Sequence, residues 1–212
     1  VWQQVFEEIN DPNFVLICAA EDVGGEAVAG PIFDAAKPTY IQVVDENHII
    51  SSAFNFVNVP SAAWIDEEGR IVRIDEGTYS KVHSIGEGEE AITFGNDVYS
   101  PALKDWVANG ANSKYVQSAD KVAGNIRKHN VDQLQADAAF RLGNLFRAHG
   151  HKDKAEQYWD MARELNPDSV NFIRQHLTLT EEGSAGETFR EMMGQYISQG
   201  RDYYRPLDIE EP

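Results

Sequence analysis

Cysteine is nearly absent from this chain: Cys18 is the only one in 212 residues. A lone thiol excludes an intrachain disulfide framework and any metal site built from several cysteines, and it leaves the redox compartment open. Long apolar runs are missing as well. None reaches the roughly 18 residues a membrane-spanning helix needs, so no membrane span is expected. Basic residues are scarce, 18 against 35 acidic ones, for a formal net charge of −17. This balance argues against nucleic acid as a partner, because phosphate binding relies on lysine and arginine. An anionic membrane surface is disfavoured for the same reason. Such acidity suits solubility, a salty environment or a basic partner. The chain also has no G-x-S-x-G, no P-loop and no H-E-x-x-H, the motifs that announce common hydrolase, nucleotide and zinc chemistries.

What remains is the composition of a folded protein. A length of 212 residues supports one domain plus a helical extension. The opening "VWQQVFEEIN" has neither a basic flank nor an apolar h-region, so it does not read as a secretory signal. The missing initiator Met leads us to expect a natural N-terminus that lies upstream or was processed away. Trp2, Val5, Phe6 and Ile9 recur at helical spacing, which predicts an amphipathic helix ended by "NDPN". "FVLICAA" (14–20) is a continuous apolar run and predicts a buried central strand. "EAVAGPIFDAA" predicts a helix interrupted by Gly and Pro, and "YIQVVD" (40–45) a second buried strand. "SAAWID" (61–66) and "RIVRID" (70–75), joined by "EEG", predict a hairpin. Residues 76–100 lack periodicity and read as a long connection. The pattern is α/β with a parallel part and an antiparallel edge.

From Pro101 the chain turns all-helical, dividing it into residues 1–100 and 101–212. One stretch is specific. In a 34-residue tetratricopeptide (TPR) frame starting at Ala136, Leu142, Gly143, Phe146, Ala155, Trp159, Ala162 and Pro167 fall on signature positions. Ala139 replaces the first signature tryptophan. The small residues let two helices approach, Leu142, Phe146 and Trp159 fill the seam, and Pro167 stops the second helix. A single TPR-like hairpin is therefore expected over 136–169. A lone repeat cannot bury its own face. Either the flanking helices cap it against the α/β half, or a protein or peptide partner covers it.

The stretch from "NFVLICAA" through "VNVPSAAWIDEEGRIV" resembles the second part of a ResA/TlpA-type thioredoxin-like (redoxin) domain. "FVLICAA" looks like the strand after the active-site helix and "EAVAGPIFDAA" like the inserted helix of this branch. "VNVPSAAWIDEEGRIV" looks like the cis-proline loop and closing hairpin, with Asp66, Gly69, Ile71 and Val72 in the matching places. The resemblance covers roughly residues 1–75 and implies an α/β thioredoxin-like fold, truncated at its N-terminus, followed by an all-α TPR-like segment. It departs from the family in one respect: "VWQQVFEEI" looks like the end of the active-site helix, so the family's W-C-x-x-C would fall before Val1. A rival register lays "FVLICAAEDVGGEAVAGPIF" over the active-site strand and helix and puts Val23 and Glu26 at the cysteine positions. Neither register contains a dithiol. The helical tail also resembles a ResA-like group in which a W-A-x-x motif with Ser or selenocysteine replaces the cysteine pair.

The resemblance implies that the Val59–Pro60 bond is cis and that Val59 and Pro60 contact an extended substrate. These two are the candidate binding residues; no catalytic residue is identified. Cys18, inside an apolar strand, is expected to be inert. Glu21 and Asp22 end that strand where open α/β sheets bind ligands, but they read more simply as solvated caps. His149 and His151 read as solvated turn residues, because nothing completes a ligand set around them. "GEGEE" (86–90) lacks calcium-loop spacing and reads as acidic surface. No metal and no cofactor are expected. Two functions compete: a thiol–disulfide oxidoreductase relative with its reactive Cys or selenocysteine upstream of residue 1, or a non-catalytic thioredoxin-like/TPR-like protein-binding module.

Overall fold

Apolar spacing over the first ten residues produces α1 (Trp2–Ile9), whose Val5 is buried. A computed structural model describes residues 2–85, 92–178, 186–200 and 203–209, and the architecture is mixed α/β. β1 (Ile17–Ala20) pairs in parallel with β2 (Ile41–Val44), Ile17 opposite Ile41. A parallel pair needs a crossover, and α2 (Glu26–Ala36) supplies it. α3 (Ile49–Phe54) then starts against Asp45, whose two carboxylate oxygens accept from the Ile49 and Ile50 N–H groups at 2.8 and 2.6 Å. An anion at a helix start satisfies N–H groups that have no partner within the helix.

After α3 the chain passes Val59–Pro60, whose peptide bond is cis, into the antiparallel hairpin of β3 (Ser61–Ile65) and β4 (Ile71–Glu76). Asp66 shapes its turn by accepting from the Glu68 and Arg70 N–H groups, and Gly69 takes the left-handed φ of 78°. β5 (Val82–Ile85) and β6 (Ile92–Gly95) form a third, antiparallel pair. Among the described residues no ladder joins the three pairs.

Two expectations are corrected here. The run 14–20 forms a four-residue strand, and it is not fully buried: Ile17 is 59% exposed and its partner Ile41 52%. Among the described residues only β2 is laddered to β1. The connection 76–100 contains the β5/β6 pair, held in part by His83 stacked on Phe94. The segment "GEGEE" lies outside the described residues.

α4 (Tyr99–Asn109) opens the helical region, and its buried Tyr99, Ala102 and Leu103 pack with Val5 of α1 and Trp64 of β3. Trp64 donates from Nε1 to the Tyr99 hydroxyl at 2.8 Å and stacks on Trp106. Beside Trp64, its cross-strand partner Arg73 is 2% exposed and forms an ion pair with Asp75. The same guanidinium donates to the carbonyls of Tyr115 and Asp208 at 2.9 and 3.0 Å. Leu207 and Ile209 complete this core.

α5 (Ala119–Asn125) precedes the main helical hairpin, α6 (Val131–Ala148) and α7 (Lys152–Leu165). Asn130 caps α6 with Gln133 in a reciprocal capping box. The hairpin closes tightly because Gly143 faces Trp159; a Cβ at 143 would lie 2.4 Å from Trp159 Cδ1. Ala136, Ala139, Phe140, Ala155, Trp159 and Ala162 form its dry centre. Leu142 does not fill the seam: it is 40% exposed, because no described helix stacks on that side. Phe172 of α8 (Val170–Thr178) and Val23, just after β1, close the cluster. α9 (Glu187–Ser198) follows.

Candidate functional site

The loop Val57–Pro60 sits between α3 and β3, where the chain leaves helix through Asn55 in the left-handed conformation. Asn58, almost fully buried, organises it. Its Oδ1 accepts the Val59 N–H at 2.9 Å and its Nδ2 donates to the Tyr203 carbonyl at 2.6 Å. Ser61 Oγ donates to the Asn58 carbonyl at 2.7 Å. The Pro60 carbonyl accepts from the Gly77 and Thr78 N–H groups, and α8 reaches the loop through the Asn171 N–H to the Val57 carbonyl.

Val59 and Pro60 are half-buried, and the structure brings them together with residues that sequence reasoning did not single out. Tyr204 Oη donates to the Val59 carbonyl at 2.7 Å and lies 2.8 Å from Tyr79 Oη. Both backbone polar groups of Val59 are therefore engaged within the chain, the N–H by Asn58 and the carbonyl by Tyr204. Further along, a shallow cleft is lined by Phe54, Phe56, Glu76, Arg127, Arg205 and Pro206, among others. Arg127 donates to both oxygens of Glu76 at 2.6 and 2.9 Å. The Arg205 guanidinium stands 4.0 Å from the same carboxylate.

A second polar cluster stands at the carboxyl ends of β1 and β2. Glu21 is not a solvated cap. Its carboxylate accepts from Asn171 Nδ2 at 2.8 Å, and its main-chain carbonyl accepts from Gln175 Nε2 at 2.9 Å, both from α8. Loss of water pushes its carboxyl up to about 7, with the nearby charge of Asp45 adding to the rise. His48 Nδ1 lies 3.8 Å from Glu21, and burial drives that imidazole down to about 4. The two groups are thus held neutral side by side near pH 5 to 6. Asp22 instead accepts the Gly24 N–H at 2.7 Å and shapes the turn after β1.

The remaining candidates are chemically quiet. Burial pushes the Cys18 thiol up, away from the reactive thiolate. His149 and His151 are exposed in the turn between α6 and α7. Glu156, Asp160 and His176 bring ligand atoms within 4.8 Å of one another, yet Asp160 already forms an ion pair with Arg163, and both carboxylates are exposed. No family model, curated protein or solved structure matches this chain.

Proposed function

We propose that residues 1–100 belong to a thioredoxin-type domain of the ResA/TlpA kind, related to thiol–disulfide oxidoreductases, whose reactive Cys or selenocysteine lies upstream of residue 1. The helical half carries a single TPR-like hairpin over 136–169. The observation that carries this reading is the order of strand pairs around the loop: a parallel pair, then Val59–Pro60, then an antiparallel hairpin. Among the described residues β1 is laddered only to β2, and β3 only to β4. A strand between those free edges would join the pairs into one sheet. The reactive thiolate would attack one sulfur of a disulfide, forming a mixed disulfide and releasing the other sulfur as thiolate. Val59 and Pro60 would position the substrate backbone beside it.

The test is to read the coding sequence that precedes Val1 and assay the longer protein for disulfide reduction. A C-x-x-C, a W-x-x-C or an in-frame selenocysteine, with activity lost on its replacement by serine, is the expected result. A start codon at Val1 overturns the enzyme reading. The second reading, a protein-binding module without chemistry, is favoured by the inert surroundings of Cys18. It predicts a longer protein that reduces nothing.

A further inference from the structure

Residues 203–209 have no regular secondary structure, yet they are bound across the Val59–Pro60 loop in the manner of a peptide ligand. One main-chain carbonyl, that of Tyr203, accepts from Asn58, and one main-chain N–H, that of Arg205, donates to Glu76 at 3.3 Å. The Tyr204 phenol is seated with its hydroxyl on the Val59 carbonyl and its ring against Gly77, where a Cβ would come within 3.2 Å of the ring. Gly77 lies at φ 67°, so a side chain there is disfavoured twice over. Downstream, Leu207 and Ile209 are apolar anchors in the Trp64–Tyr99 core.

The Arg205 guanidinium donates from Nη1 to the Asn125 carbonyl, and its side chain is 41% exposed. Arg127 occupies both oxygens of Glu76, leaving Arg205 at 4.0 Å from that carboxylate. Two guanidinium groups compete for one buried acid. An internal ligand with a firm aromatic anchor and a cation set back from its carboxylate is one that a better-fitting peptide can displace. The net charge of −17 favours a basic competitor.

We propose that Tyr203–Pro206 is an internal ligand of the Val59–Pro60 loop, and that the surface it covers binds extended peptides of the same make-up, an aromatic pair followed by a basic residue. The proposal rests on the reading of Val59–Pro60 as the substrate-contact loop. The tail lowers the apparent affinity for such a peptide by the fraction of molecules in which the loop is free. Substrate selection and self-blocking are then two uses of one surface.

The test measures binding of a fluorescent peptide, acetyl-YYRPLDI-amide, to the full chain and to its Tyr204→Ala and Tyr204→Phe variants, with circular dichroism as a folding control. Releasing the anchor is expected to raise affinity by about tenfold or more in Tyr204→Ala, and by less in Tyr204→Phe, which loses only the hydroxyl. A scrambled peptide should gain nothing. A folded Tyr204→Ala chain that binds the peptide no better than the parent overturns the proposal.

If Tyr204→Ala does not fold, hydrogen exchange on the parent decides. The Arg205 amide, bonded to Glu76, should exchange by local opening, faster than amides in α6 and α7 and insensitive to low denaturant. Exchange only in step with global unfolding makes the segment a fixed part of the core and sinks the idea. Neither readout involves thiol chemistry. An inactive longer protein would therefore count against the enzyme reading alone, and a peptide that fails to bind would count against this proposal alone.

Discussion

The α6/α7 hairpin and the β1/β2 pair solve the same problem with different completeness. The hairpin buries the seam between its helices, by Gly143 against Trp159 within it and by Val23 and Phe172 from outside, and leaves Leu142 on its outer side 40% exposed. The strand pair is covered incompletely and leaves Ile17 and Ile41 in water. Stability in one chain is distributed unevenly, concentrated where each apolar group has neighbours on every side. An open apolar face on a small sheet is instead a surface that awaits a cover.

Truncation at the hairpin centre should give the largest effect. Trp159→Ala removes an indole that also donates to Asn144 Oδ1 at 2.9 Å, and a loss of about 3–5 kcal/mol is expected in urea unfolding. A loss under about 1 kcal/mol would break the comparison, because such values belong to surface positions.

The junction between the two regions comes next. Glu21 stands at about 7 and His48 at about 4, against ordinary values of 4.5 and 6.5, with Asp45 the charged group beside both. The raised Glu21 contributes stability that is present in full below pH 4.5 and lost as pH rises through 7. The lowered His48 contributes stability present above pH 6.5 and lost as pH falls through 4. Between pH 4.5 and 6.5 these slopes oppose, so removing one group unmasks the other. Relative to the parent, Glu21→Gln should gain about 3 kcal/mol as pH rises from 4.5 to 7, at ~1.4 kcal/mol per pKa unit. His48→Phe should gain as pH falls from 6.5 to 4. Urea midpoints across this range check both signs, and parallel curves for parent and variants would mean the junction is wetter than its burial indicates.

Smaller again is Gly143→Ala, expected to cost about 1–3 kcal/mol because the rigid Trp159 ring must move. At the open face, Ile17→Ser should change stability by no more than about 0.5 kcal/mol. A larger, concentration-dependent loss would show that a second copy covers that face in solution. The smallest effect is kinetic. Cys18 should react with iodoacetamide at pH 7 more slowly than free glutathione, since burial holds it as the thiol.

The hairpin was legible because its signal is local: small residues at 143, 155 and 162 and an aromatic at 159 fall within one 34-residue period. Leu142 was misread for a related reason. Its position in the pattern presumes a helix stacked alongside, and the chain places none there among the described residues. Glu21 was misread because an acidic residue at a strand end ordinarily meets water. Its cover, Asn171 and Gln175, arrives from 150 and 154 residues downstream. β5 and β6 are four residues each, too short for alternation to stand out. Of the candidate site, the sequence pointed to the Val59–Pro60 loop but not to Tyr204, which bonds to it. Tyr204 meets Val59 across 145 positions, and no periodicity links such distant residues.

Completion of the Trp64–Tyr99 core by Leu207 and Ile209 bears on how the protein is made. During synthesis, Trp106, the last core aromatic of α4, leaves the ribosome about a hundred residues ahead of Ile209. At roughly 5–20 residues per second, that interval lasts on the order of 5–20 s. Throughout it the indole surfaces and the Arg73 guanidinium lack partners that only residues 207–209 supply, so the first half cannot finish its core until that segment has emerged.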